Sequence, residues 1–188
     1  MKAKEFYRTY LADNNTSELS DRLVKEILNL NPNHTLEMGC GTGKNLRLIN
    51  SLAPSIAVSG IDISLVNVLH SIVKNGLQNV ALGDESHLRH YCNFDIVFTV
   101  SCLDHIEDID GIIGEFKRIA NKAIVIAETN DVTNDFYFSH DYESLGFVKI
   151  EFDWTGADGA KYGIWIWRKS EAPELDDFAK INEMLCAE

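Results

Sequence analysis

The stretch that most constrains this chain is HTLEMGCGTG, residues 34–43, followed by KNLRLI. His34-Thr35-Leu36-Glu37-Met38 reads as the end of a buried strand. Gly39-Cys40-Gly41-Thr42-Gly43 is a tight turn, and Lys44 opens a helix. Strand, glycine turn and helix in direct succession make a βα unit whose turn can bind a cofactor. Without Cβ atoms the backbone turns sharply there and a ligand can lie against it. The spacing excludes two common uses. A dinucleotide fingerprint needs a third glycine where Lys44 stands. For a P-loop, Gly39 is one residue too near and Asn45 replaces the required Ser or Thr.

The flanking sequence repeats the alternation. Residues 2 to about 12 read as a short helix with Phe6, Tyr7, Tyr10 and Leu11 on one side, packed on the core or lying as a flap over a ligand. Ser17 is of N-cap type, and Leu19, Leu23, Ile27 and Leu30 recur at helical spacing behind it. Residues 55–62 form a second apolar strand ending in Asp62. A carboxylate at that tip can accept from both hydroxyls of a ribose, the alternative being a cap on the next helix, which Ser64 can supply instead. Residues 65–74 read as a helix and 80–84 as a third strand ending in Asp84. Residues 94–100 are the fourth strand, 109–120 an amphipathic helix and 121–128 a fifth strand apolar enough to be buried on both faces. Residues 145–152 and 161–168 form a hairpin whose turn contains Asp158-Gly159. Residues 173–186 carry Leu175, Phe178, Ile181, Met184 and Leu185 as the stripe of an acidic helix, docked on its own domain or between subunits.

Taken in order, LEMGCGTG, GIDIS, LGD, FDIVFTVSCLDHI, AIVIAE and LGFVKI resemble the motifs of the class I S-adenosylmethionine-dependent methyltransferases over residues 34–168. The resemblance implies an α/β three-layer sandwich: a seven-stranded, mostly parallel sheet closed by an antiparallel C-terminal hairpin. It implies S-adenosylmethionine as cofactor and S-adenosylhomocysteine as product. Carried over residue by residue, Glu37, Gly39, Cys40 and Gly41 line the methionine part, and Asp62 and Ile63 hold the ribose and flank adenine. Asp84 reads the base, with Glu85 or Ser86 sharing that role. Ser101 and Leu103 stand beside the methionine half, and Tyr7 or Tyr10 offers a hydroxyl from the N-terminal flap. Asp104 and His105 fall near the acceptor. His105 is the candidate general base, because imidazole changes charge near neutral pH, or else a helix-start residue packed without chemistry. Lys44 points along the first helix turn to solvent or toward an acid on the substrate; the sequence leaves both open.

The chain is expected to be one domain: N-terminal helices over 1–31, the core over 34–168 and the acidic helix over 170–188. Its formal net charge of −12 and lack of clustered Lys and Arg disfavour a nucleic-acid partner. Cys40, Cys92, Cys102 and Cys186 are scattered and read as reduced thiols. With no transmembrane run or apolar leader, the expectation is a cytoplasmic monomer or homodimer without membrane contact. His87, His90 and Cys92 read as surface residues, and no metal is expected. The aromatics of residues 129–142 suit a small organic acceptor with an O or N nucleophile. The competing readings are a metal-assisted catechol-type enzyme using Asp104, a protein or RNA methyltransferase, and a non-catalytic cofactor-binding domain.

Overall fold

The computed structural model describes residues 2–129, 133, 134, 136–156 and 159–170. The acidic helix expected over 173–186, and Asp158 of the hairpin turn, lie outside the described residues.

The element order is α1 (Lys2–Tyr7), α2 (Glu18–Asn29), β1 (His34–Met38), α3 (Lys44–Leu52), β2 (Ala57–Asp62), α4 (Leu65–Val73) and β3 (Val80–Leu82). A 3-10 helix (Glu85–His90) leads to β4 (Phe94–Val100), and a second one (Leu103–His105) to α5 (Asp110–Ile119). β5 (Ala120–Thr129), β6 (Val148–Thr155) and β7 (Lys161–Arg168) complete the sheet. Its seven strands run in the order β3-β2-β1-β4-β5-β7-β6. The first five are parallel to their neighbours, and β7 is antiparallel to both β5 and β6. This is the mixed three-layer sandwich expected.

Strand side chains alternate between faces, and the two cores follow. Ile96, Phe98, Val125 and Ile164 face the side covered by α2, α3 and α4, with Leu23, Ile27, Leu46 and Val68 against them. Val97, Ile124, Ile126 and Trp165 face α5, with Ile113, Phe116 and Tyr142 against them. Ser17 caps α2 by accepting from the Ser20 amide, and Ser64 caps α4 by accepting from that of Asn67.

Two segments depart from the pattern read in the sequence. α1 stops at Tyr7 instead of running to about residue 12. The polar groups of the next residues are spent on other elements. Tyr10 O accepts from Ser64 Oγ (3.0 Å), Asp13 O from Thr42 Oγ1 (3.2 Å) and Asn14 O from Arg47 Nη2 (3.3 Å). The Ala12 amide donates to Asn67 Oδ1 (2.9 Å). Residues 10–14 therefore form a strap across the glycine turn, not a continuation of the helix. β6 starts at Val148 because Leu145 and Gly146 belong to a turn closed on Tyr142 and Glu143, with Gly146 at φ +88°. Among the described residues no helix is long and apolar enough to cross a membrane.

Candidate functional site

Strand order reverses between β1 and β4, because the chain runs outward from β1 through β2 to β3 and returns on the other side. At such a switch point the loops beyond the strand carboxyl ends part and leave a crevice. Here it is a cleft of about 730 Å³, within the ~300–1,000 Å³ of small-molecule and cofactor sites.

The glycine turn forms its floor. Gly39 is in the left-handed region (φ +70°), and a Cβ there would lie 2.5 Å from Cys102 Sγ. Only glycine therefore lets the turns after β1 and β4 close on one another. Amides of Gly39 and Cys40 donate to Ile61 O (2.9 and 3.1 Å), which ties the turn to the tip of β2.

Two buried carboxylates flank the turn. Glu37 is 1% exposed. Its Oε1 accepts from Asn45 Nδ2 at 2.7 Å, while Oε2 is buried without a hydrogen-bond donor. Burial pushes the Glu37 carboxyl up to about 8, against the opposing pull of Asn45 and the nearby Lys44 charge. Asp62 accepts from the Gly41 amide on Oδ2 (2.7 Å), and from the Ser64 amide (2.8 Å) and Asn67 Nδ2 (3.1 Å) on Oδ1. A carboxylate offers about four acceptor positions. The two oxygens expected to be open to a diol thus already hold three donors. Burial raises the Asp62 carboxyl, and these bonds oppose the rise.

Asp84 is committed too. Its Oδ1 takes the Ser86 amide (3.1 Å) and hydroxyl (2.6 Å), and His87 Nδ1 lies 3.0 Å away. Lys4 lies 3.1 Å from Asp84 Oδ2 and 2.6 Å from Glu85 Oε1. The Ser86 hydroxyl, with Lys4 and His87, holds the Asp84 carboxyl well below the usual range. Asp84 and Glu85 line the cleft, but as the anchor of a capped helix and of α1.

Past β4, Ser101 sits at φ +47°. A non-glycine residue there is strained, and such residues cluster at functional sites. The turn breaks the alternation of the strand. Ser101 and Cys102 reach the cleft wall, while Leu103 and Asp104 are each 0% exposed and absent from it. Leu103, expected beside the cofactor, lies instead in the apolar core with Ile109 and Ile113; Cys102 takes its place. Asp104, expected near the acceptor, sits behind His105, 3.5 Å from its Nε2.

The hub of this end is Glu128, at the tip of β5 and fully buried. It accepts from the amides of Cys102 (2.8 Å), Leu103 (3.2 Å) and Asp104 (3.4 Å) and from the Thr99 hydroxyl (3.2 Å). Burial raises both the Asp104 and the Glu128 carboxyls. His105 lines the cleft, packed between Tyr7 (ring centroids 4.3 Å apart, planes inclined by 30°) and Tyr137 (4.8 Å, 53°). Its Nδ1 is 2.8 Å from Phe136 O and 3.4 Å from the Tyr7 hydroxyl. A carbonyl only accepts, so Nδ1 carries a proton, and the other nitrogen faces Asp104. Tyr10, Ile63, Tyr137, Phe138 and Tyr162 also line the cleft.

The reading from sequence assigns no role to Asn45, Asn67 or Lys4, nor to Glu128 as an acceptor for the loop after β4. The available signals were polar residues at buried helix positions, for the two asparagines, and an acid ending an otherwise apolar strand. Among the described residues no three His, Cys, Asp or Glu side chains are grouped so as to hold a metal ion.

A family model described as a methyltransferase domain matches residues 5–162. The chain is 27% identical over 104 residues to a demethylmenaquinone methyltransferase of Thermotoga maritima, a match covering 54% of this chain and 44% of that protein. The chain thus spans less than half the length of that relative. Among solved structures it is similar to magnesium protoporphyrin IX methyltransferase (ChlM) of Synechocystis PCC 6803 with bound SAH, at 16% identity, with a TM-score of 0.63 and coverage of 85% and 90% of the two chains. It is also similar to the [4+2]-cyclase SpnF, at 16% identity, with a TM-score of 0.67 and coverage of 88% of each chain. At such identities the likeness is one of fold.

Proposed function

We propose, from the premise that this chain belongs to the methyltransferase-domain family, that it moves a methyl group from S-adenosylmethionine to a small organic acceptor. The observation that carries this reading is the pair of buried carboxylates on either side of the glycine turn. Glu37 keeps a desolvated oxygen without a donor, a fit for the ammonium of the cofactor's amino-acid end. Asp62 keeps one acceptor position after its three internal bonds, a fit for one ribose hydroxyl. Ile63, Gly83, Asp84 and Glu85 line the wall beyond Asp62 and would flank the base.

The bound cofactor supplies a methyl group already activated by its sulfonium. The chain's own work is to place an acceptor in line with that group and to exclude water. Placement alone is worth up to about 7–11 kcal/mol. Ser101, Cys102, His105, Ile106, Tyr137 and Phe138 form the acceptor side of the cleft, and α1 closes it from above with Tyr7 packed on His105. Both nitrogens of His105 face protein groups, so its role is to position Tyr7 and the 136–138 segment, not to serve as the direct base expected from sequence.

A small acceptor is favoured over a macromolecule because the strap and α1 lie across the cleft, and because the net charge of −12 repels polyanions. The same closure supports a second reading, a domain that binds cofactor without turnover. Incubation with methyl-labelled S-adenosylmethionine and a panel of small alcohols, phenols and amines decides between them. Label transfer to a panel member is expected. Tight cofactor binding with no transfer would favour the non-catalytic reading, and label on RNA or protein alone would replace the small acceptor.

A further inference from the structure

We propose that Lys44 takes the carboxylate of the cofactor's amino-acid end, beside Glu37, which takes its ammonium. The inference rests on the cofactor reading above and adds a residue whose direction the sequence leaves open.

Lys44 is the first residue of α3, half-buried, and lines the cleft together with Glu37 and Asn45, its charge close enough to act on the Glu37 carboxyl. The lysines lining the cleft are Lys4 and Lys44. Lys4 is committed to Asp84 and Glu85 at 3.1 and 2.6 Å. Lys44, among the described residues, has no carboxylate within ion-pair distance. A cation in a cleft wall that is not held in an ion pair is a place for an anionic ligand group.

The partner observation is Glu37. Its Oε1 is fixed by Asn45, the residue next to Lys44, and its Oε2 is buried and lacks a donor. A buried acceptor left open costs free energy that a ligand donor recovers. In an α-amino acid the ammonium and the carboxylate sit on one carbon. A site for that zwitterion therefore needs an anionic acceptor and a cation side by side, and Glu37 and Lys44 are brought together across the glycine turn. The start of the nine-residue α3 adds the positive end of a helix dipole on the carboxylate's side. Glu37 alone would bind the ammonium and repel the carboxylate; Lys44 removes that conflict.

The test is calorimetric titration of two ligands, S-adenosylhomocysteine and 5′-methylthioadenosine, which keeps the nucleoside and sulfur but has no amino-acid end. The protein is compared as wild type, Lys44→Met and Lys44→Arg. Lys44→Met is expected to weaken S-adenosylhomocysteine by about ten- to a hundredfold and to leave methylthioadenosine unchanged, which also shows that the variant is folded. Lys44→Arg is expected to restore most of the loss. Unchanged S-adenosylhomocysteine affinity in Lys44→Met overturns the inference while the cofactor reading stands. If turnover then falls through a raised KM for the acceptor, Lys44 serves an acid on the acceptor instead. Equal weakening of both ligands also overturns it, because the substitution would then have disturbed the turn. A wild-type protein that binds neither ligand removes the cofactor reading, and this inference with it.

Discussion

The two ends of the cleft use buried carboxylates in opposite ways. At the glycine turn, Glu37 and Asp62 each accept from their surroundings and still keep acceptor capacity. At the tips of β4 and β5, Glu128 is surrounded by three backbone amides and a hydroxyl, and Asp104 is sealed behind His105. The first end is built to receive a polar ligand. The second uses the Glu128 oxygens to shape a loop, and presents aromatic and small side chains to the cleft. Burial and open acceptor capacity together therefore do not mark a binding carboxylate, because both oxygens of Asp104 are buried without a hydrogen-bond partner; access to the cleft, which Glu37 and Asp62 have and Asp104 lacks, does.

The sharpest way to break this contrast is Glu128→Leu. If Glu128 holds the loop, the substitution strands the Cys102, Leu103 and Asp104 amides, and at about 1–3 kcal/mol per stranded donor unfolding in urea should show a loss of about 3 kcal/mol or more. A loss under 1 kcal/mol would place Glu128 outside the loop's support. Next comes His105→Ala, expected to lower turnover by about 10²-fold with little change in S-adenosylhomocysteine affinity. As a positioning residue, His105 should leave the shape of the pH–rate profile unchanged. A vanished ionisation near neutrality would make it the base after all.

Glu37→Gln sharpens the other side. The folded protein holds an extra proton on Glu37 between its ordinary value near 4.5 and about 8, so this group's contribution to stability falls as pH rises across that window. The glutamine variant lacks that loss. Its melting temperature relative to wild type should rise from pH 5 to pH 8, while S-adenosylhomocysteine binds about tenfold weaker or worse. A flat difference in melting temperature would mean that Glu37 is ionised throughout. The smallest effect is expected for Lys4→Ala. Its pairs with Asp84 and Glu85 are partly exposed, so calorimetry and thermal melting should register under about 1 kcal/mol. A larger loss of cofactor affinity would make the latch on α1 part of recognition.

The legibility of the sequence follows the same division. β1, β2 and β4, the glycine turn and the acids at strand tips were readable because each is a local pattern: an apolar run, a turn residue, an acid at a fixed place. The N-terminal strap was not, because its bonds reach Thr42, Ser64 and Asn67, far along the chain. The exchange of Leu103 for Cys102 at the wall was not readable either. Strand alternation continued past Val100 puts Ser101 and Leu103 on one side, and the left-handed turn at Ser101 breaks that alternation. No glycine announces it. The strain is held by Glu128, whose bonds to the Cys102, Leu103 and Asp104 amides span 24–26 positions.

The most direct test of the central claim is a calorimetric titration of the wild-type protein with S-adenosylhomocysteine, with NAD and ATP as comparison ligands. Saturable one-to-one binding of S-adenosylhomocysteine, and no heat from the other two, is the predicted result. Heat from NAD or ATP with none from S-adenosylhomocysteine would contradict it.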